Sequence, residues 1–339
     1  MTSSNQTPSS HSSTWWTTHG YLLVPLPPLL ILGLAHFLFE ATSGTSASEF
    51  IQIMKTLVED HSRMTQPLII DEARARYGWL ATALLNLIVP LYAAYVGIAT
   101  IRHCHSGTRL ALVSGLGIVL GGLGLASQII SLETQGALYR LVFGFTFMTL
   151  TASHHFDTAF LNNVHNIVSA INVLAALVPA IIIVAASSAL APPQNRANAD
   201  LNFLADHMRG LKSVLNATSA LLVVGVLHMN AWLQWPASFM SDSALHTAVS
   251  GAALSITVFW GTAFTLMLIS VYGPAATQLS LMARKLLDQK HQAGTIADPQ
   301  QWLKEHDLAI TFSEQLPQIG IMLAPVLAGP LGSLIMGTS

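Results

Sequence analysis

Runs of about 20 nearly uninterrupted apolar residues recur along this chain, and in helical form such a run is the length that crosses the hydrocarbon core of a bilayer. Eight segments qualify, at roughly 21–41, 79–101, 110–131, 140–161, 166–190, 213–235, 247–272 and 317–336. Backbone N–H and C=O groups find no water partner in lipid, so each run must satisfy them internally as a helix. The expected fold class is all-α, a polytopic transmembrane helix bundle of about eight spans. Only 9% of the 339 residues are charged while 52% are hydrophobic. Soluble domains carry about 25% charged residues, so an ordinary cytosolic globule is excluded. A net charge of −2 leaves no basic stripe for nucleic acid.

Lysine and arginine accumulate on the cytoplasmic side of membrane proteins. With the N-terminus outside, the inward connections hold Lys55, Arg63, Arg74, Arg76, Arg140, Arg196, Arg209, Lys212, Arg284, Lys285, Lys290 and Lys304, leaving only Arg102 and Arg109 outside. The expectation is an N-out, C-out chain that also gathers nine of its 14 histidines on the outer face. Residues 1–20 contain no Lys or Arg, so they lack the basic region of a cleaved signal peptide. They read as a disordered exoplasmic tail, with Trp15 and Trp16 at the headgroup layer, before one integral membrane domain over 21–339. Trp79, Trp232, Trp235 and Trp260, near span ends, are expected to be interfacial anchors. Short tails and compact connections suggest a bacterial inner membrane.

Two inward connections are long enough to fold. In 46–61, Ser46 and Glu49 have capping-box spacing, and Phe50, Ile51, Met54, Leu57 and Val58 follow helical periodicity. This predicts a short amphipathic helix lying on the cytoplasmic membrane surface. In 273–316, Asp298-Pro299 marks a helix start, with Trp302, Leu303 and Ile310 turned toward the last span. Neither connection has room for a catalytic domain, so no catalytic residue is assigned and the reading leans away from an enzyme.

Pro25, Pro27 and Pro28 open the first span, and Pro317, Pro325 and Pro330 lie in the last among Gly320, Gly329 and Gly332. Both segments are expected to be kinked or interrupted. Gly117 and Gly121 in the third span have the spacing that admits a close helix neighbour. A nucleotide loop is excluded there, because no strand precedes the glycines.

Ionisable groups within spans are costly and point to function. His36 and Glu40 share a helix face at i and i+4 near the inner end of the first span. They are candidates to share a proton or a hydrogen bond. His154, His155 and Asp157 end the expected fourth span, and His165 opens the fifth. An Asp that accepts from one imidazole nitrogen fixes the tautomer that frees the other for a proton or metal. His228 lies on the sixth span with Asn230 and Gln234. His154, His155, His165 and His228 are candidate ligands for a transition metal or for haem. Cys104, the single cysteine, is flanked by His103 and His105, but one cysteine supports no disulfide framework and no multi-cysteine metal site. Glu72 and Arg76 read as a surface i,i+4 pair.

The pattern points to a non-ATP-driven transporter or permease of a small solute or ion. His154, His155, Asp157 and His228 would receive substrate or protons outside, and His36 and Glu40 would serve the inner gate. The alternatives are a membrane-embedded metal or haem protein with a redox or cofactor-handling role, and a structural subunit held by partner subunits of a larger membrane complex. The lipid bilayer is the partner common to all three.

Overall fold

The computed structural model describes residues 20–60, 66–192, 201–292, 298–306, Leu308 and 312–335. The expectations for Trp15, Trp16, Arg63, Arg196 and Ile310 lie outside the described residues. A single 3₁₀ turn, Gly20–Leu23, leads into α1 (Leu26–Asp60), α2 (Gln66–Cys104) and α3 (Gly107–Thr134). A π-helical turn at Tyr139–Gly144 continues as α4 (Phe145–Ala152). Then follow α5 (Thr158–Ser188), α6 (Leu201–Gln234) with a 3₁₀ tail Trp235–Phe239, α7 (Ser243–Gln292), α8 (Pro299–Glu305) and α9 (Phe312–Ile335). The described residues are all-helical apart from their turns and breaks, and seven of the helices are long and apolar enough to cross a membrane.

The segment read as a fourth span does not form one. The helical stretch there ends at Ala152, and from Ala137 it covers about 24 Å at ~1.5 Å per residue, short of a hydrocarbon core of about 30 Å. Two residues break the run. His154 has φ +51°, a left-handed conformation that stops the helix. Asp157 then accepts from the backbone N–H of Phe160 at 2.7 Å and starts α5 as its N-cap. The sequence held the signal, since Asp is a preferred cap, but hydropathy averages across such a break.

Removing that span changes which connections share a side. Close approaches order the long helices as an alternating series. A Cβ on Gly124 would meet the Ala176 carbonyl at 2.8 Å while Gly117 faces Val184, so α3 and α5 are antiparallel. Thr82 meets His228 and Gly210 faces Thr100, which makes α2 and α6 antiparallel. Ser219 donates to the Ile321 carbonyl and Gly332 faces Asn230, so α6 and α9 are parallel. Gly261 against Pro325 and Gly329 against Thr257 set α7 antiparallel to α9. We call the end where α1 begins the amino end and the end where α9 stops the carboxy end. Arg102, Arg109, Arg209, Lys212, Arg284, Lys285, Lys290 and Lys304 lie toward the amino end, and Lys55, Arg74, Arg76 and Arg140 toward the carboxy end. The connections that an eight-span count puts on one side are therefore divided, and so are the histidines.

Helix α6 is the axis. It packs on α2, α7 and α9, and none of its described large apolar side chains is exposed. Outer helices do the reverse, with Leu30, Phe37, Ile88, Tyr95, Ile118 and Leu331 among their exposed side chains. An apolar exterior around a polar-containing interior is compatible with lipid as the surrounding medium.

Three further expectations change. Residues 46–60 do not form a separate surface helix, because α1 runs without a break from Leu26 to Asp60. Neither proline-rich segment is interrupted: Pro27 and Pro28 sit in the first turn of α1, where a missing N–H removes no intrahelical bond, and α9 runs through its three prolines as one helix. Trp79, Trp232, Trp235 and Trp260 are buried rather than facing headgroups. Trp79 stacks on Trp235 at 5.1 Å and lies 5.6 Å from Trp232, forming a buried aromatic core. Two expectations hold. Asp298 caps α8 by accepting from Gln300 and Gln301, and Gly121 brings α3 onto Leu177 of α5.

Helix α7, at ~1.5 Å per residue, is about 75 Å long and overruns any bilayer core. Its last turns meet Leu201, Leu204, Ala205 and Met208 of α6 and Leu303 of α8 in a separate apolar cluster at the amino end.

Candidate functional site

Polar groups line α6 from one end to the other. At the carboxy end, Glu72 of α2 is fully buried. Its Oε1 accepts from Trp235 Nε1 at 3.2 Å, and its Oε2 lies 3.5 Å from the Arg76 guanidinium. Arg76 in turn sits 5.7 and 6.0 Å from the ring centres of Phe160 and Phe156, a cation over aromatic faces. In the pair read from sequence as a surface ion pair, Glu72 is thus buried, while Arg76 lies against aromatic side chains and keeps partial access to solvent.

About two to three turns deeper, the Thr82 hydroxyl donates to the Trp79 carbonyl at 2.9 Å. A hydroxyl has one proton, so the 3.3 Å contact between Thr82 Oγ1 and His228 Nδ1 makes the imidazole the donor. That assignment leaves His228 Nε2 as an acceptor inside the bundle. Gln234 Nε2 donates to Asn230 Oδ1 at 3.1 Å, while Asn230 Nδ2, Gln234 Oε1 and Trp79 Nε1 are buried without a hydrogen-bond partner. Each such orphan costs about 1–3 kcal/mol, and a group of them calls for a reason.

The outer histidines do not join this core. His154, His155, Asp157 and His165 are all exposed. Asp157 spends its side chain on capping α5 rather than orienting His154. His155 meets the edge of Phe156, and His165 the edges of Phe143 and Phe147. Among the described residues, no three His, Cys, Asp or Glu side chains converge as metal ligands.

His36 and Glu40 also part company. His36 is exposed on α1. Glu40 turns to the start of the π-helical segment, where its Oε2 accepts from Ala137 N at 2.7 Å and its Oε1 from Leu138 N at 2.9 Å. A carboxylate at a helix start matches the partial positive charge of unpaired N–H groups. Arg140 completes the tie, donating to the Gln135 carbonyl and to Ser48 of α1.

At the amino end, two cavities share His207 of α6 as a common wall. One, of about 360 Å³, lies against the end of α2 at Thr100, His103 and Cys104. The other, of about 740 Å³, lies between α1, α6 and α7. The Ala189 carbonyl is 2.8 Å from His207 Nδ1 and accepts its proton, and the ring centre lies 4.0 Å from that of Phe203, tilted by 36°. A small enclosed void of about 40 Å³ continues inward along α6, past Leu211, Thr218 and Leu222. Beside the larger cavity, His105 is buried in the α2–α3 turn with neither ring nitrogen hydrogen-bonded. Burial holds its imidazole below the usual histidine range, with Arg109 and His207 adding to the effect.

Sequence reading missed the His207 region because it began the sixth span at residue 213. The signal was present: Leu201, Leu204, Ala205, Met208 and Leu211 recur at helical spacing, which extends the helix outward and places His207 beside the buried face. No protein family, no curated protein and no solved structure matches this chain.

Proposed function

We propose that the protein is a seven-span integral membrane carrier, not driven by ATP, that passes a small solute along α6, with its amino end in the cytosol. The single observation that carries this reading is the order of features on α6. Cavities flank its first turns at His207, an enclosed void follows beside Thr218, and unpaired polar atoms gather at Asn230 and Gln234. A core built only for stability would satisfy those atoms, whereas a path uses them when solute or water passes. The amino end carries eight of the described Lys and Arg residues against four at the carboxy end, so the positive-inside rule favours a cytosolic amino end. In this reading Glu40 fixes the short helix that closes the carboxy end.

Cysteine accessibility tests the reading without knowledge of the solute. Cys104→Ser supplies the background, and single cysteines are placed at Ser213, Thr218 and Asn230. Membrane vesicles of both orientations are then labelled with a membrane-impermeant maleimide. Ser213 is expected to react from the amino side, and Asn230 from the carboxy side in a fraction of molecules. Thr218 and Asn230 inert from both faces would make α6 a sealed structural core and remove the carrier.

A further inference from the structure

We propose that the 740 Å³ amino-end cavity is a site for a long-chain carboxylate, a single acyl chain with an ionised acid head. The proposal rests on the carrier reading and names the solute class. A volume of this size suits one small ligand rather than a two-chain lipid. The chemistry of the wall narrows the class further. Its polar members are Tyr21, His207, Ser270, Gln278 and Lys285, and the rest of the described lining is apolar, from Val24 just before α1 to Leu286 on α7. No Asp or Glu is among the described lining residues, so a cation is offered and no anion opposes an acid. Asp206, the nearest acid along α6, pairs with Arg209 at 2.9 Å and lines the other cavity.

Two more groups stand behind the wall. Arg109 donates to the carbonyl of Pro192, itself a lining residue, at 3.2 Å. The buried His105 imidazole, with both nitrogens unpartnered, lies 5.9 Å from the ring of Tyr21. Lys285 is exposed at one rim of the cavity. Val271, about four turns before Lys285 on α7, also lines the small void beside Thr218. A head held at Lys285 would therefore direct its acyl chain along α7 toward the centre of the bundle. Met282 and its neighbour Leu281 are half exposed and apolar, which extends the apolar wall to the mouth of the cavity.

Binding of radiolabelled palmitate to the purified full chain in detergent, read by scintillation proximity against empty micelles, tests this. Hexadecanol, with the same chain and no charge, is the comparator. Saturable palmitate binding with hexadecanol at least roughly tenfold weaker is expected, because the head is held by a charge-assisted hydrogen bond. Lys285→Gln should weaken palmitate roughly tenfold and leave hexadecanol unchanged, while Lys290→Gln, outside the cavity, should change neither. Equal binding of acid and alcohol, no saturable binding, or an unaltered Lys285→Gln protein would each overturn the site. Palmitate binding with Thr218 sealed from both faces would keep this site and discard passage. An accessible Thr218 with no palmitate binding would discard this site and keep passage.

Discussion

Replacing Gly136 by alanine should break the tie between α1 and the short carboxy-end helix, and the size of the loss follows from the geometry. A Cβ at Gly136 would lie 2.8 Å from Glu40 Oε1 and 2.9 Å from Oε2, closer than a methyl group and an oxygen can stand. The carboxylate must withdraw, and with it go the hydrogen bonds to Ala137 and Leu138. Hydrogen bonds to a charged group contribute about 1.5–3 kcal/mol each, and the half-buried position of Glu40 puts the pair near the low end, about 3 kcal/mol together. Gly136 does not occupy the left-handed region, so alanine itself fits the backbone and returns about 0.5–1 kcal/mol by restricting the unfolded chain. The net expected loss is about 2 kcal/mol. In a Glu40→Ala background the clash is gone, and Gly136→Ala should become neutral or slightly stabilising. A double-mutant cycle measured by SDS titration in mixed micelles, followed by circular dichroism, should give a coupling of about 2–3 kcal/mol. Additive effects would refute the carboxylate tie.

Two other outcomes follow from buried groups. Glu72→Gln leaves the Arg76 guanidinium among aromatic rings without its counter-charge, which should cost about 2–3 kcal/mol, below the full buried-pair figure because Arg76 retains some access to solvent. Adding Arg76→Gln should recover part of the loss in the same titration, and a Glu72→Gln protein as stable as the native one would contradict the buried pairing. His105 binds its proton less readily in the folded chain than in the unfolded one. The stability this carries is complete above the ordinary imidazole value of about 6.5 and declines as pH falls below it. His105→Phe should flatten the fall in melting temperature between about pH 7 and 5, and an unchanged slope would show that His105 titrates as it does in water.

Hydropathy made the seven long helices legible, because a run of apolar residues has one satisfactory backbone solution in lipid. It also produced an eighth, since a window average cannot see a single left-handed residue at His154 or a cap at Asp157. That one error moved whole connections to the wrong side and with them the histidines. Glu40 and Asp157 were read as the partners of His36 and His154. Their partners proved to be backbone N–H groups at helix starts, 97 and three residues away. Glu72 and Arg76 showed the opposite failure: spacing identified the pair, but only the approach of Phe156, Phe160 and Trp235 from other helices buried it.

The amino-acid sequence alone determined that this chain is helical, apolar on its outside and sparing with charge, because those properties are set by composition and by period. Tertiary structure decided which helix is the axis, which polar atoms are stranded beside it, and that His207 stands between two cavities. Such facts depend on helices distant in sequence meeting at particular heights, and those heights are set by close glycine contacts and carboxylate ties, because hydrophobicity is the same for every apolar face.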